Sequence, residues 1–143
     1  MGAVTALIYS ERDLNIGGMV LDSPFSDLKL LVKDLAKTYS NIPSLLISGA
    51  LKFVKHSVKK RAGFDLSTVK PIAHVEHCYV PALFGIAIDD ELVPPAHHGE
   101  ALYLKYGGEK QLVRFIGKHN DERSQSFHTL ASNFLLKHLT SLS

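Results

Sequence analysis

The sequence contains a single cysteine, Cys78, so no disulfide can form within the chain. Independence from disulfides is typical of a reducing compartment, and we expect a cytoplasmic protein. No secretory signal pattern opens the sequence as given, and no apolar run reaches the roughly 18 residues that a membrane-spanning helix needs. The net charge of +2 is too small to favour a nucleic-acid-binding protein.

The remaining composition is that of an ordinary globular protein, with 45% hydrophobic and 21% charged residues. A chain of 143 residues is long enough to bury a core. Because no repeat, low-complexity tract or Pro/Gly/Ser-rich linker divides the sequence, we expect residues 1–143 to form one domain.

Three short apolar runs predict β-strands, and the segments between them have the length and spacing of helices. The strands are expected near residues 18–22, 79–88 and 111–116. Helices are expected at residues 1–12, from Ser26 or Asp27 to about 39, and at 43–61, 94–106 and 124–139, with one more short helix and a turn in 67–78. This alternation predicts an α/β fold with three parallel strands, right-handed crossovers and helices on both faces of the sheet.

Functional side chains of an open parallel sheet gather at the carboxyl ends of its strands. Here these ends place Asp22, the pair Asp89/Asp90 and the turn 117–120 at one edge. An aspartate and a histidine at the ends of neighbouring strands can meet there, with the carboxylate orienting the imidazole as a general base.

Residues 81–95, 113–127 and 20–28 resemble three segments of the α/β-hydrolase superfamily, in its serine aminopeptidase-like and acyl-hydrolase-like branch. Residues 81–95 (PALFGIAIDDELVPP) resemble the strand and turn that carry the acid of the catalytic triad. Residues 113–127 (VRFIGKHNDERSQSF) resemble the final strand and the histidine turn. Residues 20–28 (VLDSPFSDL) are also similar to the segment after the nucleophile's helix.

The resemblance implies a partial α/β-hydrolase fold with Asp90 as the acid and His119 as the base. It also implies a helical lid insertion over about residues 40–63. The reaction would be hydrolysis of an ester, thioester or amide in a small-molecule or peptide-like substrate. Neither a metal nor an organic cofactor is expected.

The nucleophile of that family stands on a G-x-S-x-G elbow, and this motif is absent from the sequence. The opening Met1-Gly2 resembles the last two letters of such an elbow, which would place the serine directly before Met1. On this basis the Met1 N–H would be an oxyanion donor in the intact protein, and Gly2 would permit close helix–strand packing. We therefore expect a truncated hydrolase that is inactive by itself.

The sequence departs from the family pattern at two places. Ile86-Ala87 replace the usual His-Gly before the acid turn, and Lys118 replaces a small residue before His119. These departures keep open an alternative, a non-catalytic interaction domain derived from the hydrolase fold.

Other polar residues have simpler explanations. Asp89 is expected to cap a turn, and Asp22 is a minor candidate for the acid. A metal site at His74, His77 and Cys78 is not favoured because no second ligand cluster accompanies them. Contact with an anionic membrane surface is a weaker alternative to an ordinary solvated helix face for five basic residues: Lys52, Lys55, Lys59, Lys60 and Arg61.

Overall fold

The computed structural model describes residues 1–38 and 68–140, together with positions 52, 56, 59, 60 and 65. The regular elements of these ranges are α1 (Gly2–Ser10), β1 (Met19–Asp22), α2 (Leu28–Thr38), β2 (Ala82–Ala87), α3 (Gly99–Lys105), β3 (Lys110–Phe115) and α4 (Gln125–Thr140). The predicted alternation of helices and strands is confirmed.

The three strands form one parallel sheet in the order β1-β2-β3. All six residues of β2 are buried, because this strand has a neighbour on each side and helices on each face. Within the described ranges, β1 and β3 pair only with β2.

The helices cover both faces of the sheet, as predicted. On one face α1 and α3 pack through Leu7 and Leu102 against Leu21 and Phe84. On the other face α4 lies so close to β2 that a Cβ added at Gly85 would be 2.7 Å from Cε2 of Phe127. Gly85 is therefore the position at which the backbone of β2 contacts the ring of Phe127 in α4.

The close helix–strand packing expected at Gly2 concerns the intact protein and stays a prediction. A Cβ at this position would meet no atom of the described structure within 4 Å. The reason is that α1 turns Val4 and Leu7 toward the core, whereas Gly2 is exposed.

Two helix predictions need correction. The helix expected from Pro94 begins only at Gly99, because residues 94–98 form turns and the backbone of His98 is not helical (φ −122°, ψ −88°). The single short helix expected within residues 67–78 is instead two 3-10 turns, Pro71–Ala73 and Val75–His77.

The lid-like insertion expected over residues 40–63 lies outside the described residues, apart from the isolated helical positions Lys52, His56, Lys59 and Lys60. It stays a prediction, as does membrane contact by the basic residues of this segment. Among the described residues, no helix combines the length and the apolar character needed to cross a membrane.

The close contact between β2 and α4 yields a stability prediction. We expect Gly85→Ala to lower the free energy of unfolding by about 1–3 kcal/mol, because Phe127 has to move within a packed layer. Gly2→Ala is the matched control and should cost no stability, since open space surrounds that position. Urea denaturation of the two variants measures the difference; equal stabilities would contradict the packing described for Gly85.

Candidate active site

The loop after β2 fixes the carboxylate of Asp90 in one orientation. Oδ1 of Asp90 accepts hydrogen bonds from the backbone N–H groups of Leu92 (3.0 Å) and Val93 (2.8 Å). The side chain is only 1% exposed. Because Oδ1 is occupied by the loop's own backbone, Oδ2 is left to accept from another element.

The turn after β3 is held by the loop after β2. The N–H of Asp89 donates to the carbonyl of Gly117 (3.2 Å), and the N–H of Gly117 donates to Oδ2 of Asp89 (3.2 Å). Gly117 has a φ of +138°, a conformation that side chains rarely adopt and that glycine adopts readily. Asp89 thus stabilises a turn, and the chain reverses at Gly117 to present His119.

The structure brings the two predicted triad residues together. Nδ1 of His119 lies 2.7 Å from Oδ2 of Asp90. Because an ionised carboxylate can only accept hydrogen bonds, Nδ1 carries the proton, and in the neutral ring Nε2 keeps its lone pair. The His119 side chain is 32% exposed, so this arrangement combines a buried orienting carboxylate with an imidazole that reaches the surface.

The other predicted positions take no part in this hydrogen bond. Met1 precedes α1 and is 73% exposed. The carboxylate of Asp22, at the end of β1, is bound by Arg123 at 2.8 Å. Asp22 therefore pairs with the guanidinium of Arg123, and the carboxylate that contacts the imidazole of His119 is that of Asp90.

A second polar cluster lies beneath the loop that follows Asp90. Nδ1 of the fully buried His98 accepts the backbone N–H of Ser26 (3.2 Å). His97 Nδ1 lies 2.9 Å from Oδ2 of the buried Asp34, and His98 Nε2 lies 3.6 Å from the same oxygen. Hence the segment before α3 is fastened to the β1–α2 loop and to α2.

The charges of this cluster follow from its hydrogen bonds and burial. The hydrogen bond from His97 holds the pKa of Asp34 below its ordinary value, against the opposing effect of burial. Burial lowers the pKa of His98, while the nearby Asp34 carboxylate opposes that shift. His98 is consequently a neutral structural histidine between two loops.

Sequence reasoning missed the partners of both clusters. Of the two residues at which the second helix was expected to begin, Asp27 caps α2 by accepting the N–H groups of Lys29 (2.7 Å) and Leu30 (3.2 Å), whereas nothing in the sequence indicates that Ser26 contacts His98. The role of Arg123 gave no local signal, because Asp22 lies 101 positions away in the sequence.

The residues weighed as metal ligands have other contacts. Nδ1 of His74 lies 2.6 Å from Oε2 of Glu11. Burial raises the pKa of the Cys78 thiol, which disfavours the thiolate that would bind a metal or act as a nucleophile. In the part of the chain that the structure describes, no three His, Cys, Asp or Glu side chains converge on a metal-sized site.

We compared the chain with known proteins. No protein-family model matches the chain. It is 29% identical over 132 residues to the Bacillus subtilis (strain 168) protein YqkD, a match that covers 90% of this chain and 42% of YqkD.

Solved structures of two esterases are similar. Acetyl xylan esterase 1 from Thermoanaerobacterium sp. JW/SL YS485 matches with a TM-score of 0.68 at 18% identity, over 95% of this chain and 42% of that one. The Pyrococcus furiosus esterase Pf2001 matches with a TM-score of 0.67 at 17% identity, over 94% of this chain and 49% of that one. The chain therefore has a partial α/β-hydrolase fold and spans less than half the length of these three proteins.

The hydrogen bond between Asp90 and His119 predicts the tautomer of the histidine. In Asp90→Asn, Oδ1 can still accept the loop N–H groups, which turns an amide N–H toward His119. The neutral ring should then carry its proton on Nε2. Loss of the charged acceptor should also lower the free energy of unfolding by about 1–3 kcal/mol.

The ¹⁵N chemical shifts of the imidazole measure this tautomer. Asp89→Asn is the matched control, because Asp89 contacts the backbone of Gly117 and should leave the ring of His119 unchanged. A proton that stays on Nδ1 in Asp90→Asn would show that Asp90 does not orient the imidazole.

Proposed function

We propose that residues 1–143 supply the acid and the base of a serine hydrolase, with Asp90 as the acid and His119 as the base. The nucleophile is a serine directly before Met1, in an intact protein longer than this chain. The observation that carries the proposal is the 2.7 Å contact between a buried carboxylate and a partly exposed imidazole at the carboxyl ends of adjacent strands.

In the first step the serine oxygen attacks the acyl carbonyl carbon while Nε2 of His119 takes the hydroxyl proton. The carbonyl electron pair moves to its oxygen and forms an oxyanion. The N–H of Met1 would donate one hydrogen bond to it, because that donor belongs to the residue after the nucleophile. Asp90 stabilises the imidazolium through the bond to Nδ1.

In the second step the bond between the acyl carbon and the leaving group breaks. The leaving group takes the proton from Nε2 of His119, and an acyl-enzyme remains. Water then attacks the acyl carbon with His119 as base, which releases the acid and restores the serine. Each proton that leaves a nucleophile passes through His119, so this sequence calls for no metal or organic cofactor.

The substrates we propose are carboxylic esters. Two structurally similar proteins are named esterases, and the acid and base of this site suit transfer of an acyl group from oxygen. Thioesters and amides present the same carbonyl carbon and differ in the leaving group that His119 must protonate.

The departure at Ile86-Ala87 is compatible with this proposal. Ile86 is buried, and its Cδ1 lies 3.1 Å from where a Cβ of Gly99 would stand. Ile86 thus packs against the start of α3 on the face away from α4. The substitution of the family's usual residue changes the core beside the acid loop and leaves both Asp90 and His119 in place.

Activity should appear when the missing elements are restored. The test extends the chain before Met1 with the N-terminal portion of an active α/β-hydrolase that ends in the G-x-S of its elbow, and it measures hydrolysis of an aryl acetate by this extended chain. We expect turnover by the extended chain and none by residues 1–143. In the extended chain, Asp90→Asn should lower kcat by about 10⁴-fold and His119→Ala by about 10⁶-fold.

His77→Ala is the control for substitution of a surface histidine outside the site, and it should leave kcat unchanged. A folded extended chain without activity would contradict the proposed function and favour a non-catalytic domain. Full activity in His119→Ala would show that hydrolysis does not use this histidine.

A further inference from the structure

The guanidinium of Arg123 donates hydrogen bonds to three backbone carbonyls of the turn that carries His119. Nη2 donates to the carbonyl of His119 itself (2.8 Å). Nη1 donates to the carbonyls of Asp121 (2.7 Å) and Lys118 (3.2 Å). The backbone on both sides of His119 is therefore tied to one side chain.

The same guanidinium is anchored on another strand. Nε donates to Oδ2 of Asp22 (2.8 Å) and Nη2 donates to Oδ1 of Asp22 (3.2 Å). The guanidinium thus makes a bidentate contact with the carboxylate at the end of β1. These bonds and the three to carbonyl groups use all five N–H donors of the arginine. A lysine could supply neither the number nor the planar arrangement of these donors.

The position of Arg123 is further restricted by packing. Its Cζ lies 4.6 Å from the centroid of the Phe115 ring, at the end of β3, and that ring packs on Phe127 of α4. The Arg123 side chain is only 12% exposed. A charged group so enclosed is bound to its partners with much less screening by water than a surface ion pair.

Asp22 is itself held in a strained segment. Ser23, the residue after it, has a φ of +45° and is the only described non-glycine residue with a positive φ. Its hydroxyl donates to Oδ1 of Asp22 (3.0 Å) and its N–H to the carbonyl of Gly85 (2.9 Å). Strain of this kind persists only where the surroundings fix it, and it occurs often at functional sites.

We infer that Arg123, anchored on Asp22, is a positioning residue for the base His119. Asp90 fixes the imidazole through Nδ1, while Arg123 fixes the backbone from which the imidazole projects. The end of β1 thereby controls a side chain that follows β3. The role of Arg123 in catalysis rests on the proposed function, but its effect on the position of His119 can be tested in residues 1–143.

The test follows the Nδ1 proton of His119 by NMR, in protein labelled at histidine and at a concentration where sedimentation shows a monomer. In Arg123→Gln we expect the hydrogen bond to Asp90 to weaken, with exchange of this proton with water faster by about tenfold or more. The matched control is Arg114→Gln, which removes an arginine that pairs with Glu100 at 2.9 Å on the surface. That variant should leave the exchange rate unchanged.

Asp22→Asn tests the anchor and also serves if Arg123→Gln does not fold. Methyl resonances establish that each variant is folded. In folded Asp22→Asn we also expect the His119 Nδ1 proton to exchange faster than in the unsubstituted protein. The increase should be smaller than in Arg123→Gln, because the carbonyl contacts of Arg123 remain. Unchanged exchange in a folded Arg123→Gln would overturn the inference. Unchanged exchange in folded Asp22→Asn would overturn the role given to Asp22.

The extended chain separates this inference from the proposed function. In the extended chain Arg123→Gln should lower kcat about tenfold to a hundredfold, because the base is misplaced. KM should change little, because the substitution does not alter the contacts that bind the substrate. Absence of all activity in the unsubstituted extended chain would contradict the proposed function and leave the NMR result standing. Normal kcat in the variant would overturn the inference alone.

Discussion

The hydrogen bond between Asp90 and His119 depends on the register of two adjacent parallel strands. Ala87 of β2 lies opposite Phe115 of β3, and the pairing continues beyond both strands, where the N–H of Ile88 donates to the Phe115 carbonyl (3.0 Å). A shift by one residue would turn alternate side chains to the opposite face of the sheet. The buried, two-sided β2 resists such a shift, and the strand ends therefore determine where the acid and the base meet.

The loops at this edge are joined to one another by polar contacts, and Phe25 and Val93 of two of these loops also share a buried apolar cluster with Val4 of α1. Asp90 is held by the backbone of its own loop, the segment before α3 is fastened through His98, and Arg123 connects β1 with the histidine turn. Because buried polar groups cost free energy when they lose a partner, each contact favours one arrangement of the loops over others. The result is a preorganised imidazole, which is what general-base catalysis requires.

The sequence allowed the layout and the acid–base pair to be predicted, but it did not reveal the supports. The apolar runs predicted all three strands, and the positions of Asp90 and His119 after two of them predicted that these residues could meet. The contact of Ser26 with His98 joins residues 72 positions apart, and that of Arg123 with Asp22 joins residues 101 positions apart. No periodicity or motif signals such pairs. The prediction that a helix begins at Pro94 was wrong for a related reason. His98 points into the protein and contacts Ser26 on another loop, and the helix begins only at Gly99.

The central proposal is that, in a longer protein, His119 activates a serine directly before Met1. The most direct measurement is mass spectrometry of the extended chain after treatment with a fluorophosphonate, which reacts with activated serines. We expect one adduct per chain, mapped to the serine before Met1, and no adduct in His119→Ala. Stoichiometric labelling of residues 1–143 alone, or undiminished labelling in His119→Ala, would contradict it.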